Sequence, residues 1–548
     1  MTASTISADI ETDVAIVGAG PVGTLLAILL GQRGKQVTLV ERWSKHYPLP
    51  RAVTFDHEIA RILATLGIDS ETDPSINYHD ELYYWRNRDG QNLQIVDWQS
   101  QSASGWRVRY WFNQPELEKR LLAIAAELPT VTIRRGYEGN ALEQDANGVT
   151  LSIKQNPEEF GPNGERLTIR AKFVVGTDGA NSFVRETLGI ENEDKGYFFD
   201  WLILDMIPNF DYVASRPEQP AQWQLCDPKR PTTVVPAGPG PVIGGPDRRR
   251  WEFMVLEHED ATELSKPDNA WKLLEPWGLT PENAELERSA VYRFQARWAK
   301  NWNKGRCLIG GDAAHLMPPF AGEGMCAGVR DAVAMAWRLN GILEGKFDLG
   351  ILDSYTSERI EHAKHYINFS QMLGQIICIS DEDEAAKRDA DMIAELAARD
   401  NAPVPTDICQ LGHGAWDENS AHAGELSVQG VVESHGNRDR FDQVAGQGWV
   451  LLGYEADPAS ALSAEQLAQL QTLEGSSVKI VASGDASDVV DVEGTFKAWM
   501  EEINARYVLI RPDFYVALAA TTEDDLRAKF AKIMDRLHVT AAAPVAAE

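Results

Sequence analysis

The chain has 548 residues, 44% hydrophobic and 24% charged, which is the balance of an ordinary globular protein and too much chain for one core, so two or three domains are expected. Its 52 basic and 82 acidic residues leave a net charge of −30, which disfavours nucleic acid and anionic membrane surfaces as partners. Apolar runs stop well short of a membrane span, no signal peptide precedes Asp13, and the five scattered cysteines include no C-x-x-C pair; the expectation is a reduced, cytoplasmic protein without disulfides or a metal site.

Residues 1–12 are polar and expected to fray. Residues 14–17 then form a β-branched run bounded by glycine, the pattern of a buried strand. Gly18, Gly20 and Gly23 follow with G-x-G-x-x-G spacing, Pro21 and Val22 between the last two. Residues 25–30 open an apolar helix, and residues 37–40 give a second strand ending at Glu41, 18 residues after Gly23, with Arg42 next. The first glycine permits a tight turn, the second lets the backbone approach a pyrophosphate, and the third lets helix pack on strand. The helix start offers unpaired N–H groups and a positive dipole end to phosphate, and an acid placed like Glu41 takes ribose hydroxyls. This stretch predicts a dinucleotide site and leaves NAD and FAD both open.

Residues 47–53 are turn-rich and carry Arg51, either a solvated charge or a cofactor contact; Asp56 stands as N-cap to a helix over 56–66. Residues 78–98 alternate as a hairpin with its turn at 87–90, and Pro115 marks the first turn of a helix beginning near Asn113. Short strands are expected at 131–133, 149–153 and 167–169, the last two joined by a turn at Asn163-Gly164. Residues 173–185 run a buried strand into Asp178-Gly179 and a short helix with Arg185, which on spacing alone is a β-turn with Asp as helix cap. Residues 201–291 are rich in strand and proline and predict an antiparallel sheet that walls a small-molecule pocket. In residues 305–325 a strand ends at Gly310-Gly311-Asp312, and a proline- and glycine-rich loop feeds a helix over 325–343 whose N-terminus suits developing negative charge. His315 has no metal-spaced partner and reads as structural. Residues 349–379 and 381–399 are helical, a linker begins at Ala402, and an α/β layer domain follows from Ala423, with strands at 448–453, 478–482 and 507–510 and helices at 464–471, 495–503 and 523–537.

Taken together, the motif at Gly18, Gly20, Gly23 and Glu41, the Thr177-Asp178-Gly179 to Arg185 segment, and Gly311-Asp312 with its Pro-Pro and Gly-x-Gly resemble the class A flavoprotein aromatic hydroxylases, the para-hydroxybenzoate hydroxylase group, over about residues 10–375. Pro50-Arg51-Ala52 with Asp56, Gln114-Pro115, Cys226-Asp-Pro, Phe253-Met-Val and Gly328-Val-Arg-Asp-Ala are similar to 3-(3-hydroxyphenyl)propionate, phenol and resorcinol hydroxylases. The resemblance implies a Rossmann-like, three-layer FAD-binding domain within residues 1–380, built from 10–80, 105–185 and 300–345. An inserted mixed or antiparallel substrate sheet would be drawn from 82–100 and 190–295. A helical segment and linker at 381–422 would lead to a thioredoxin-like domain over 423–548 that lacks C-x-x-C. Cys326 stands where many relatives have asparagine.

By the same resemblance, NADH or NADPH reduces FAD, and O2 forms a flavin C4a-hydroperoxide that hydroxylates a phenolic aromatic compound.

 The implied roles are these. FAD is held by Gly18, Gly20, Pro21, Val22, Gly23, Glu41, Arg42, Arg51, Arg109, Gln114, Asp178, Gly179, Asp312, Pro319, Gly322, Gly324, Met325 and Cys326, with Asp312 on the ribityl chain. The substrate is a small phenol, the pathway is aromatic catabolism, and the assembly is a homodimer. The amides of Gly324, Met325 and Cys326 are candidates to hold negative charge on the flavin, and the Pro319 carbonyl is a candidate acceptor for the substrate. The base is left open among His57, Tyr78, Tyr110 and Tyr292. The rival reading is another flavoprotein on the same fold, an epoxidase or dehydrogenase, or a non-catalytic flavin-binding protein.

Overall fold

The computed structural model describes residues 8–240, 247–406 and 409–539; most of the polar start and the last residues of the C-terminal domain lie outside these. At its centre Ile10–Val17 is flanked by parallel strands on both sides, Val14 facing Val37 of Val37–Glu41 and Phe173 of Arg166–Gly176. Val131–Arg135 and Cys307–Ile309 extend the parallel set. A strand covered on both faces has no polar side to show, which is why residues 14–17 read as an unbroken apolar run and are buried. Pro21–Gln32 packs between Gln114–Glu127 and Gly324–Leu343 over this sheet. Tyr137–Gln144 and Val149–Gln155 add an antiparallel flap to Arg166–Gly176.

The second sheet has eight strands and stands apart from the first. Two long strands, Asn192–Pro208 and Ala284–Ala299, pair along most of their length, and Arg249–Met254, Thr232–Pro236 and Trp223–Leu225 follow in antiparallel order. The hairpin Tyr83–Arg86 and Asn92–Val96 joins in parallel at Trp223–Leu225, so the sheet is mixed. The Asn87 side chain accepts from the amides of Asp89 and Gln91 and closes the hairpin turn. The 27-residue helix Ile351–Ile377 packs on this sheet and on the 319–321 turn.

Glu382–Ala398 lies against the edge of the hairpin, and the stretch read as a linker is pinned there too: the amide of Val404 donates to Ile95 O and the amide of Asp97 to Val404 O, both at 2.9 Å. Beyond it, seven strands form a third sheet, with Val450–Tyr454 central and parallel to Ser476–Val481. The expected strands and helices are present, joined by Val431–Ser434, Asn437–Arg440, Val489–Asp491 and Val516–Ala520. Buried ion pairs tie this domain to the first. Arg61 grips Asp442 through Nε and Nη2 at 2.7 and 2.9 Å, and Arg511 grips Glu358 through both terminal nitrogens at 2.8 Å. Among the described residues no helix is long and apolar enough to cross a membrane.

Candidate active site

Three loops leave the C-terminal ends of neighbouring parallel strands and meet at one place: Gly18 after the first strand, Thr177 after Arg166–Gly176, and Gly310 after Cys307–Ile309. Such a crevice beyond strand ends is where open α/β sheets take nucleotides. Gly18 has φ +104, and a Cβ there would lie 2.3 Å from Thr177 O; a Cβ on Gly23 would lie 2.0 Å from Gly18 O. Both positions therefore need glycine for packing. Gly20 is different, since nothing stands within 4 Å of an added Cβ, so its open side is toward the cavity it lines. Thr177 Oγ1 donates to Gly18 O at 2.9 Å and locks two of the loops together.

The cavity between these loops and the second sheet has a volume of about 330 Å³. Gly20, Pro21, Val22, Arg51, Gln114, Gly179, Asp312, Pro319, Gly322, Gly324 and Met325, all predicted from sequence, line it. The starts of Pro21–Gln32 and Gly324–Leu343 carry no side-chain cap, which leaves their first-turn amides for a ligand. Asp312 is exposed toward the cavity it lines, and desolvation by the surrounding protein raises its carboxyl above the usual range. The Pro50–Arg51 turn is clamped from two sides. Gln114 Oε1 accepts from the amides of Arg51 and Ala52 at 2.8 and 2.7 Å, while Arg250 donates to Pro50 O and Arg51 O, each at 2.9 Å.

The remaining predicted residues lie around the cavity rather than on its wall. Glu41 accepts from the amides of Ala19 and Trp43, both at 3.0 Å, and so shapes the first loop. Asp178 accepts from Ser182 Oγ at 2.5 Å and Val184 N at 3.1 Å, but the cap of Phe183–Thr187 is Ser182, which accepts from Arg185 N at 3.0 Å, and not Asp178 as expected. Arg42 turns outward to Glu158 at 3.3 Å. Arg109 turns away to Glu323 at 3.3 Å. Cys326 is buried, its Sγ donating to Gly322 O at 3.7 Å, and burial pushes its thiol well up.

Of the candidate bases, none lines this cavity except through the Pro319 carbonyl, which accepts from Gly322 N at 2.8 Å. His57 opens on a second cavity, its ring bonded to Ser104 Oγ at 2.9 Å and pushed down to about 4, chiefly by burial. Tyr292 packs under the Arg288 guanidinium and Tyr78 under that of Arg107. Tyr110 donates to Glu71 at 2.5 Å.

The family is decided by similarity along the whole chain. A model described as FAD binding domain matches residues 11–370. The chain belongs to this FAD-binding family. Residues 424–536 match a second, described as HcaD C-terminal domain. The flavoprotein is 34% identical to a protein named probable NADH-specific resorcinol 4-hydroxylase in Rhodococcus jostii, covering 92% of this chain and 91% of that one. It is 33% identical to a 3-(3-hydroxy-phenyl)propionate/3-hydroxycinnamic acid hydroxylase of Burkholderia vietnamiensis, covering 92% and 93%. In fold it is similar to the flavin-dependent monooxygenase PieE, solved with FAD and substrate, with a TM-score of 0.79 at 21% identity over 97% of this chain and 100% of that one. Aklavinone-11 hydroxylase with FAD and aklavinone gives a TM-score of 0.75 at 24% identity over the same shares.

The flavoprotein's cofactor loops are held in place by buried side chains that bond across them. Asp331 Oδ2 accepts from Gly311 N at 2.9 Å and from His315 Nε2 at 2.7 Å, and its Oδ1 from Arg359 Nε at 2.9 Å, so a buried carboxylate aims the Gly311-Asp312 turn. Arg185 donates to Ala313 O at 2.9 Å and Ala180 O at 3.0 Å, joining the second and third loops. On the opposite wall Tyr83 stacks on Trp98 with centroids 4.0 Å apart, and Trp111 and Phe320 continue the aromatic surface. Glu252 reaches into this wall from Arg249–Met254. Burial raises its carboxyl, and its nearest cation, Arg250 at 3.7 Å, is already bonded to Asp205 at 2.6 and 3.0 Å.

Proposed function

We propose that the protein is an NADH-dependent monooxygenase that hydroxylates a small, uncharged phenol of the resorcinol type, acting as a cytoplasmic homodimer in aromatic catabolism. One observation carries the reading: the three cofactor loops and an aromatic wall holding one carboxyl face each other across a single cavity. The relative named for resorcinol and NADH supports the substrate and the nicotinamide. Glu252 argues in the same direction, because a carboxyl whose arginine is engaged elsewhere repels a carboxylate substrate and suits a phenol hydroxyl. All five cysteines are thiols, in keeping with a reducing compartment.

When bound, FAD supplies the redox chemistry, taking two electrons from the nicotinamide and passing them to O2, of which one atom enters the ring and the other leaves as water. The chain's own residues do the rest. Gly20, Asp312 and the amides at the start of Gly324–Leu343 would hold the cofactor, the last of these beside its developing negative charge. Tyr83, Trp98, Trp111 and Phe320 keep water from the ring and orient its plane. Glu252 accepts the proton of the ring hydroxyl at a carboxylate oxygen, which makes the ring a better nucleophile.

Resorcinol and 3-(3-hydroxyphenyl)propionate, offered separately to the purified enzyme with NADH, test the reading. Resorcinol should stimulate NADH and O2 consumption and gain one oxygen by mass; consumption that no phenol stimulates, or that yields only peroxide, would sink it. Glu252→Gln should lower kcat roughly 100-fold and leave a rate that climbs with pH toward the phenol's own value near 10.

A further inference from the structure

Behind the flavin-facing loop lies a group of charges that neither the cofactor motifs nor the substrate wall uses. Asp56, Glu58 and Glu323 are buried around the guanidiniums of Arg330 and Arg109. Arg330 donates Nε to Glu58 Oε2 at 2.6 Å, Nη1 to Glu323 Oε2 at 3.0 Å and Nη2 to Asp56 Oδ2; Arg109 Nη2 donates to Glu323 Oε1 at 3.3 Å. Carboxyl oxygens of Asp56 and Glu323 lie within 4.8 Å of one another. Three carboxylates against two guanidiniums leave one negative charge in excess, and two desolvated carboxylates side by side do not both stay ionised.

The neighbouring groups do not supply the missing positive charge. Burial keeps His57 neutral, down to about 4, and holds His362 well below its ordinary value. Burial also keeps Cys326, Tyr366 and Tyr515 protonated, with Tyr515 Oη donating to Glu58 Oε2 at 3.2 Å. Arg61 is bonded to Asp442 and Arg359 to Asp331. Within the pair, Asp56 Oδ1 accepts from the amides of Glu58 and Ile59 at 3.0 and 3.1 Å as a helix N-cap, which favours its ionised form. Glu323 has no such amides.

We propose that Glu323 holds one proton and donates it to Asp56, and that this bond makes Glu323 a positioning residue for the loop 319–326 that faces FAD. Its two flanking glycines, Gly322 and Gly324, line the flavin-facing cavity, while its side chain lines the cavity of about 890 Å³ behind. Phe320 and Ala321 line the same rear cavity, and Glu323 is the loop's ionisable anchor there. Burial, and next the charge of Asp56, push the Glu323 carboxyl up to about 7. A raised carboxyl holds its proton below that value and loses it above, so the anchor turns into a repulsion as the pH rises past about 7. The inference rests on FAD binding and is independent of which aromatic the enzyme takes.

The test titrates apoprotein with FAD from pH 6 to 9 for the wild type, Glu323→Gln and Glu323→Ala, following flavin fluorescence, and records infrared spectra of the apoproteins. Wild-type affinity should fall roughly tenfold across this range, the worth of one charge-assisted hydrogen bond. Glu323→Gln, which keeps a donor toward Asp56 that does not titrate, should bind within about twofold of wild type at the acid end and stay level. Glu323→Ala should be weak throughout. The wild-type apoprotein should show a protonated carboxyl band at the acid end that Glu323→Gln lacks. A pH dependence that survives in Glu323→Gln, equal weakness of the Gln and Ala variants, or an unchanged carboxyl band would overturn the proposal.

Discussion

Glu358 offers the clearest measure of what joins the C-terminal domain to the cofactor domain. It sits on Ile351–Ile377 and accepts from Arg338 Nη2 at 2.6 Å, from Arg511 Nη1 and Nη2 at 2.8 Å each, and from Ala415 N at 2.6 Å. Burial opposes its charge, yet Arg338 and Arg511 more than reverse that and bring the carboxyl from 4.5 down to about 2. A depressed folded value contributes stability that is present above the unfolded value and is lost as pH falls through the folded one. Moving a carboxyl from 4.5 to about 2 corresponds to about 3 kcal/mol. Glu358→Gln should therefore lose about 3 kcal/mol at neutral pH, read as the fall in the urea midpoint multiplied by the measured m-value. Near pH 3 the gap between the two proteins should shrink to roughly half, because the wild-type contribution is itself being titrated away. Tryptophan fluorescence is the assay, since Trp337 Nε1 donates to Asp513 at 2.9 Å inside the same cluster. A midpoint shift under about 0.3 M, or a gap that does not narrow in acid, would refute the reasoning.

Two further outcomes follow from the cofactor loops. Gly18→Ala forces a Cβ to 2.3 Å from Thr177 O at a φ of +104, so it should cost FAD affinity at least tenfold, read by titrating apoprotein with FAD; an unchanged Kd would contradict it. Asp331→Asn removes the charge that Arg359 and His315 share and should lower stability by about 3 kcal/mol. Thermal unfolding of apoprotein measures this, and a Tm within about 1 °C of wild type would count against it.

The cofactor motifs were legible because each is local: a strand, its terminal glycines and the next helix start sit within two dozen residues. What stayed hidden acts across the chain. Arg185, Arg330 and Asp331 stand inside segments the sequence singled out, yet their burial and their partners show only in the tertiary structure. Glu252 sits in an alternating strand, and alternation does not say whether the polar face meets solvent or a cavity. Of the strands that were missed, two show opposite reasons. Tyr137–Gln144 is an exposed flap with little apolar signal, and Val516–Ala520 is alanine-rich and lacks the β-branched signature. The 402–406 stretch looked like a linker because a proline-rich segment can bond to a sheet edge without forming a strand of its own.

The clamp on the Pro50–Arg51 turn sets which parts of the substrate sheet are free to vary. Arg250 and Glu252 project from the same face of one strand, one bonded to the turn that carries Arg51, the other lining the cavity. With the substrate placed as proposed, that strand is a ruler between cofactor and substrate: a shift that suits a bulkier ring at position 252 drags the turn with it. Gln224, Thr233 and Val235, on the two strands beyond, line the same cavity without that tether. New ring preferences are therefore open to selection at those three positions at little cost to the flavin, whereas changes at 250 retune both at once.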